Sequence, residues 1–455
     1  MSARSSRLLA TIPLLAACSA DPVPPADAGR TDVTVVDAPV IDVPVIDVPV
    51  VDVPVIDVPV IDRPVVDVAR VDAPMPVDVG VDVPPADVPP LPPGRVSVEM
   101  GGTTAIALDR DGQPSIAYGS QQGAMVRVVV STRAGTGWTH ETVDTLPTAV
   151  SRMGYTIDPE GARHLGYAQY LSRSGVGYGF RFFAATRAAG AWTTRLLADH
   201  SVNHNTSVRP DIHVTAAGAV HVVVPLTPAT GIASRVRHLA LEGGAVVDEE
   251  LAPRVSGSSF GVAIGRIAAA IHGDAPLTLF TVADDGSGSD TVAHLSTRSG
   301  SAMVATAIGS FPDLGSSLTE VWGADVFRLA SGYVTVTADA SGRFGDTTRY
   351  RVFRQGAAAW TMNTVGPVRY ASDNWCAAPF ADGTIALFVY AGVGMPVTAT
   401  ELRLILVRPD GTSAERSVDA NVEGGLFCSA VTDASTVHVA YRKPDGGIYY
   451  QRLPR

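Results

Sequence analysis

A short pattern returns seven times between residues 95 and 455: an apolar pair, a turn holding Gly or Asp, then an alternating strand that often ends in an aromatic. The copies run over 107–118, 156–167, 213–224, 269–280, 327–337, 379–390 and 430–441, from A-L-D-R-D-G-Q-P-S-I-A-Y in the first to A-V-T-D-A-S-T-V-H-V-A-Y in the last. With turn positions at Gly112, Gly161, Gly218, Gly273, Gly332, Gly383 and Ala434, successive copies are 49, 57, 55, 59, 51 and 51 residues apart. A unit of that length without a 3.6-residue apolar period has room for four short strands. Such a unit cannot bury an apolar face alone, so the copies must stack on one another.

Each unit continues with a third strand, such as Met125 to Thr132 or Phe180 to Thr186, and often with a fourth that opens on Trp138, Trp192 or Trp360. The expected fold is therefore all-β, a seven-bladed β-propeller of four-stranded blades. The last copy ends after its third strand, at 448–453, and an orphan strand, Arg95 to Met100, precedes the first. That N-terminal strand is expected to complete the last blade and close the ring, which removes the long free edges an open sheet would expose. The alternative is a six-bladed ring with one irregular copy, the fourth or fifth. The connecting segments S-T-R-A-G-T-G-W (131–138), A-T-R-A-A-G-A-W (185–192), L-S-T-R-S-G-S-A (295–302) and V-F-R-Q-G (352–356) resemble a degenerate Asp-box turn of sialidase-like propellers. The family's Ser-x-Asp-x-Gly-x-Thr-Trp has Arg133 or Arg298 here in place of Asp, so the resemblance supports the fold more than any activity.

At the N-terminus, Arg4 and Arg7 precede an apolar run of ten residues, Leu8 to Ala17, about half of what a bilayer-spanning helix needs. It reads as the core of an export signal over residues 1–17. The run ends in Leu15-Ala16-Ala17-Cys18, which resembles the lipobox of bacterial lipoproteins. The resemblance implies that the Cys18 thiol takes a diacylglycerol, that cleavage precedes it, and that the new amino group is acylated, giving firm anchoring to a membrane. Ser19 follows, not the Asp that resembles an inner-membrane retention signal, which implies the outer membrane, on its periplasmic or cell-surface face. An ordinary signal cleaved near Ala17 is the alternative.

Residues 18–94 form a spacer. From Val36 the chain repeats V-[IV]-D-V-P, with Asp at 37, 42, 47, 52, 57, 62, 67 and 72 and Pro at 39, 44, 49, 54, 59 and 64. Proline every fifth residue removes backbone donors and holds each preceding residue extended, so no packed core forms. The segment is expected to be a disordered or extended stalk reaching at most roughly 240 Å in polyproline II geometry. It also explains the net charge of −11: residues 19–94 hold 14 Asp against 3 Arg, and residues 95–455 hold 31 acidic against 29 basic side chains. A near-neutral domain lacks the basic footprint of nucleic-acid binding.

Cys376 and Cys428 enter the first strands of adjacent repeats at similar height, and in an exported chain an even pair is expected to form a disulfide. His164, His221 and His438 share one repeat position, which spreads them around a ring and favours structural roles over a shared metal. D-R-D-G (109–112) is read as a hairpin turn, since only this copy has both Asp residues. No metal or cofactor is expected from these patterns.

In a propeller the connections between a fourth strand and the next first strand gather at one face around the axis, where a ligand would bind. These are Asp144–Gly154, Asp199–Asp211, Gly309–Asp325 and Gly366–Cys376. Trp322 and Trp375 break the repeat pattern there, flanked by Glu320, Asp325, Asp373 and Asn374, with Arg209 and Asp211 from the third copy. Aromatics beside carboxylates and amides suit a sugar ring and its hydroxyls, while indoles filling the channel mouth is the alternative. The expected function is a membrane-anchored recognition domain for glycan or protein, without catalysis. A sialidase-like glycoside hydrolase is the alternative, using Arg152, Arg209, Arg266 and Tyr370 as nucleophile. Against it, the Phe/Tyr-Arg-Ile-Pro motif of that family is absent and the Asp boxes lack their Asp. A structural scaffold of an envelope complex is the third reading.

Overall fold

The structure is a computed structural model; it describes residues 94–97 and 100–455 apart from 174–176, 203–209, 227–234, 252–267, 285–289, 313–319, 342–346, 370–374, 394–398, 421 and 423–427. The chain divides into Met1–Asp82 and Val83–Arg455, and all described residues belong to the second unit. The signal segment, Cys18 and the stalk as far as residue 93 therefore lie outside the described residues, while Gly94, expected as the last residue of the stalk, belongs to the last blade.

Seven sheets of four antiparallel strands form, six of them simple meanders and the seventh a three-strand meander completed by the strand at Gly94–Arg95. The first strands, innermost in the ring, are Met100–Leu108, Val150–Ile157, Asp211–Val214, Ala268–His272, Glu320–Leu329, Trp375–Pro379 and Ser429–Thr432. Among the described residues there is no helix. The architecture is a seven-bladed propeller, and all seven sequence copies supply a blade, so the six-bladed alternative is not realised.

The ring closes where the orphan strand was expected, but over fewer residues. Gly94 pairs with Tyr450 and Arg95 with Tyr449 on the outer edge of the last blade. The Val96 amide then donates to the Ile448 carbonyl at 2.7 Å, and the Ile448 amide donates to Ser97 Oγ at 2.8 Å. Met100 already belongs to the innermost strand of blade 1. The ladder ends at Ser97, where the Ile448 amide goes to a side-chain oxygen and not to a backbone carbonyl, so the strand that closes the ring and the strand that begins at Met100 are separate elements.

The first hairpins of blades 1, 2, 3 and 6 share one turn. The amides of Asp109, Asp158, Thr215 and Phe380 donate to the carbonyl four residues on, and those of Gly112, Gly161, Gly218 and Gly383 donate back. The four glycines have φ of 72°, 87°, 80° and 88°, the left-handed region that a side chain disfavours and that a three-residue hairpin with a bulge requires. Asp109 Oδ1 accepts the Asp111 and Gln113 amides, so the D-R-D-G carboxylate is engaged within its own turn. Gly273 and Ala434, aligned with these glycines in sequence, do not have a left-handed φ.

The core is seven apolar clusters, one at each blade interface. Between blades 1 and 2, for instance, Val126, Val128 and Val130 meet Met153, Leu165 and Tyr167. Burying one such side chain fully is worth about 1.5–3 kcal/mol, against about 0–1 for an exposed ion pair, so these faces hold the ring. Their detail revises the sequence alignment. Tyr118, Tyr167, Val224 and Tyr441 face the preceding blade, whereas Phe280 and Tyr390, aligned with them, face the following one. Copies 4 and 6 are thus slipped by one residue, and in a strand one residue exchanges the faces.

The fourth-strand tryptophans of blades 1, 2 and 5 seal their blades onto the one before. Trp138 of blade 1 meets Tyr450 of blade 7 edge-on at 5.5 Å, Trp360 of blade 5 joins the cluster holding Phe280 of blade 4, and Trp192 Nε1 of blade 2 donates to Glu141 of blade 1 at 3.1 Å. Arg187 grips the same Glu141 with two hydrogen bonds, at 2.5 and 2.9 Å, and Arg298 of blade 4 pairs with Glu249 of blade 3 in the equivalent way. Arg187 and Arg298, from two of the degenerate turns, therefore tie adjacent blades, whereas Arg133 bonds within its own turn to the Gly135 carbonyl.

Cys376 and Cys428 form the expected disulfide, joining the first strand of blade 6 to the approach to that of blade 7 across 52 residues of sequence. By the chain-entropy account such a loop stabilises by about 4 kcal/mol. The double variant Cys376→Ser, Cys428→Ser is expected to unfold at a lower denaturant midpoint than the parent by about that free energy; identical midpoints would refute the contribution.

Candidate functional site

Charge is scarce in this domain, and three charged side chains from three blades converge at the axis. Arg152 is in the first strand of blade 2, Asp211 opens that of blade 3, and Asp325 is in that of blade 5. Arg152 Nη2 lies 3.3 Å from Asp211 Oδ1 and 3.8 Å from Asp325 Oδ1, so the guanidinium reaches from blade 2 to blade 5.

Local irregularities aim these groups. The pairing of the first two strands shifts register between Val150 and Arg152 in blade 2, and again between Val321 and Ala324 in blade 5. A bulge adds one residue, bends the strand and redirects the side chains after it. In blade 5 the bulge uses Gly323 at φ 119°, a conformation that a side chain would strain. Asp211 and Asp325 hold the same place in their blades, opposite Val223 and Val336 of the respective second strands. Asp211 Oδ2 also accepts the Ile271 amide of blade 4 at 3.0 Å, which ties the cluster to a fourth blade.

The electrostatics follow from removing these groups from bulk water. Burial pushes the Asp325 carboxyl up to about 7; Arg152 opposes the shift and Asp211 adds to it. Burial by itself would lower the Arg152 guanidinium, but Asp211 first and then Asp325 more than offset that and hold it above its ordinary value. The cluster is not sealed, since the side chains of Arg152, Asp211 and Asp325 keep 35%, 14% and 22% of their surface exposed. It presents a donor fork beside two acceptor carboxyls, one of which exchanges its proton near neutrality.

Among the residues expected at the site from sequence, Asp211 and Asp325 come together. Arg152, named for the hydrolase alternative, is the residue that joins them. Trp375 goes elsewhere: it pairs opposite Val389, whose side chain packs toward blade 5, so its indole turns to that blade. There it meets Tyr350 edge-on at 6.0 Å, and a Cβ on Gly323 would stand 3.4 Å from its Nε1. Glu320 and Trp322 fall within the first strand of blade 5, with side chains outside the described residues. Arg209, Arg266, Tyr370, Asp373 and Asn374 lie outside the described residues altogether.

The histidines of the shared repeat position have separate partners. His164 Nε2 is 3.0 Å from Asp158 Oδ2 and His438 Nε2 is 3.1 Å from Asp433 Oδ2, each within its own hairpin, while His221 Nδ1 meets His238 Nε2 at 3.1 Å.

The chain matches no protein-family model and no curated protein. Solved structures similar to it include a polysaccharide lyase of family PL25, an ulvan lyase bound to -[GlcA(1-4)Rha3S]- (10% identity, 79% of this chain and 95% of that one, TM-score 0.48). A protein of unknown function from Dyadobacter fermentans is also similar (13% identity, 80% and 97% covered, TM-score 0.44). So is the alpha-L-arabinanase of Penicillium chrysogenum complexed with arabinobiose (10% identity, 67% and 93% covered, TM-score 0.41).

Asp325 makes the domain sensitive to pH in a stated direction. Its folded-state value, about 7, exceeds the unfolded value of 3.8, so the folded state holds the proton between those limits and stability falls as pH rises from about 4 to about 7. Asp325→Asn is expected to remove this slope and to leave the protein more stable than the parent at pH 8, by at most about 4 kcal/mol. Parallel unfolding midpoints for parent and variant from pH 4 to 8 would contradict the assignment.

Proposed function

We propose that this chain is a membrane-anchored lipoprotein whose propeller recognises a glycan at the axial cluster, without catalysis. The observation that carries the reading is the Arg152 guanidinium set against Asp211 and Asp325 on the axis while all three stay partly accessible. Carboxylates accept from sugar hydroxyls and a guanidinium donates to ring and glycosidic oxygens, so the cluster offers both polarities to a polyhydroxylated ligand. The rigid first strands supply the pre-organisation that limits the ordering cost of binding.

Glycoside hydrolysis is the second reading, favoured by one carboxyl held near 7 beside another, the arrangement that separates an acid from a base. Weighing against it, the guanidinium sits within 3.8 Å of both carboxyls, in the space a scissile bond would need.

The test uses the full chain on a glycan array, with Asp211→Asn and Asp325→Asn as variants. At least tenfold weaker retention of the bound glycan in both, with circular dichroism unchanged, is the expected outcome; equal retention would remove the site. Turnover of fluorogenic glycosides that disappears in Asp325→Asn would replace recognition by hydrolysis.

The anchor is proposed on Leu15-Ala16-Ala17-Cys18. Cells expressing the chain are expected to incorporate labelled palmitate into it, and to lose the label with Cys18→Ala. Processing that is insensitive to globomycin would overturn the lipid anchor.

A further inference from the structure

The interface between blades 3 and 4 holds a group of imidazoles that the axial cluster does not use. His213, two residues after Asp211 in the first strand of blade 3, stacks on His272, the last residue of the first strand of blade 4, with ring centroids 4.5 Å apart. Asp274 follows in the turn after that strand, its side chain 43% exposed and its Oδ2 3.8 Å from His272 Nε2. One ring nitrogen from each histidine and one carboxylate oxygen all lie within 4.8 Å of one another.

Two independent features mark this as more than a chance grouping. His213 Nε2 and His272 Nδ1 are both buried with no hydrogen-bond partner. A buried polar atom left without a partner costs about 1–3 kcal/mol, and both of these belong to the two rings grouped with Asp274. Burial also pushes His213 down to about 3, with His272 and His221 adding to it, and lowers His272 in the same way. Both rings are consequently neutral at physiological pH and carry free lone pairs, the state a metal ligand needs.

We propose that His213, His272 and Asp274 bind a divalent transition ion of the zinc class. Two imidazole nitrogens and one carboxylate oxygen are a donor set for such an ion, with bond lengths of about 2.0–2.2 Å and a fourth position open to water. Hard ions that require six or more oxygens are excluded by the same donors. Closing the 4.8 Å spread to bonding distance asks most of Asp274, the exposed member, whose side chain is free to swing inward. Arg328, held to the Ala275 carbonyl, is the charge that opposes a cation at His272, and Asp274 offsets it. The ion would lock the first strands of blades 3 and 4 together beside the axis, where no disulfide does so.

The test uses the untagged full chain, dialysed free of metal and titrated with Zn²⁺ by calorimetry, with Co²⁺ as an optical probe. One equivalent of Zn²⁺ with a rise in Tm, and visible Co²⁺ bands typical of nitrogen and oxygen ligation, are expected. Asp274→Asn keeps an exposed side chain of the same shape, so its fold is not at risk, and it is expected to weaken Zn²⁺ at least tenfold; His272→Gln is expected to abolish the Co²⁺ bands. No uptake by the parent, or affinity unchanged in Asp274→Asn, would overturn the proposal.

Discussion

Packing of one blade's apolar face onto the next is the interaction on which everything else in this domain depends. A single blade is four strands of modest length and exposes both faces; only when seven of them meet do residues such as Leu165, Val222, Leu279, Val352, Leu387 and Val439 leave water completely. The ring must also close, because an open stack would leave the faces of blades 1 and 7 bare. Closure comes from Gly94 and Arg95 on Tyr450 and Tyr449, and from Val96 joining the apolar cluster of Ile106, Tyr118 and Ile448. The tryptophans of the fourth strands and the arginines beside them extend the same interfaces outward.

Closure has a price at the axis, where first strands from opposite sides of the ring come near one another and water is reduced. Charges placed there are driven to pair or to hold protons. Arg152 resolves this by engaging Asp211 and approaching Asp325, and the raised Asp325 carboxyl records the part that pairing does not neutralise. The same desolvation keeps the imidazoles of His213 and His272 neutral one step further along the strands. Chemical capacity thus arises at the axis because the surrounding blades are too apolar to solvate ions.

Part of this is legible in the sequence itself. Asp211 and Asp325 stand out as carboxylates at the ends of the connections that lead into first strands, and Cys376 and Cys428 fall at matching points of adjacent repeats. The facing of the strands was not legible. Phe280 and Tyr390 look equivalent to Tyr118 and Tyr167 in sequence, yet they pack on the opposite neighbour: they lie seven residues after their turn glycines where Tyr118 and Tyr167 lie six, and one residue exchanges the faces of a strand. The direction of Trp375 was hidden for a related reason: its place near a loop does not show which neighbour it meets, and its pairing opposite Val389 turns the indole toward blade 5.

From the amino-acid order alone came the number of repeats, the four strands in each, the glycine turns and the disulfide, all of which depend on neighbours close in the chain or on a pattern repeated along it. Tertiary structure alone decided that Arg152 meets Asp325 and that His213 stacks on His272, pairs 173 and 59 residues apart. Those meetings depend on ring closure, on bulges at Ser151 and Gly323, and on which way each strand faces. A two-residue alternation cannot report them, since one inserted residue reverses every side chain that follows.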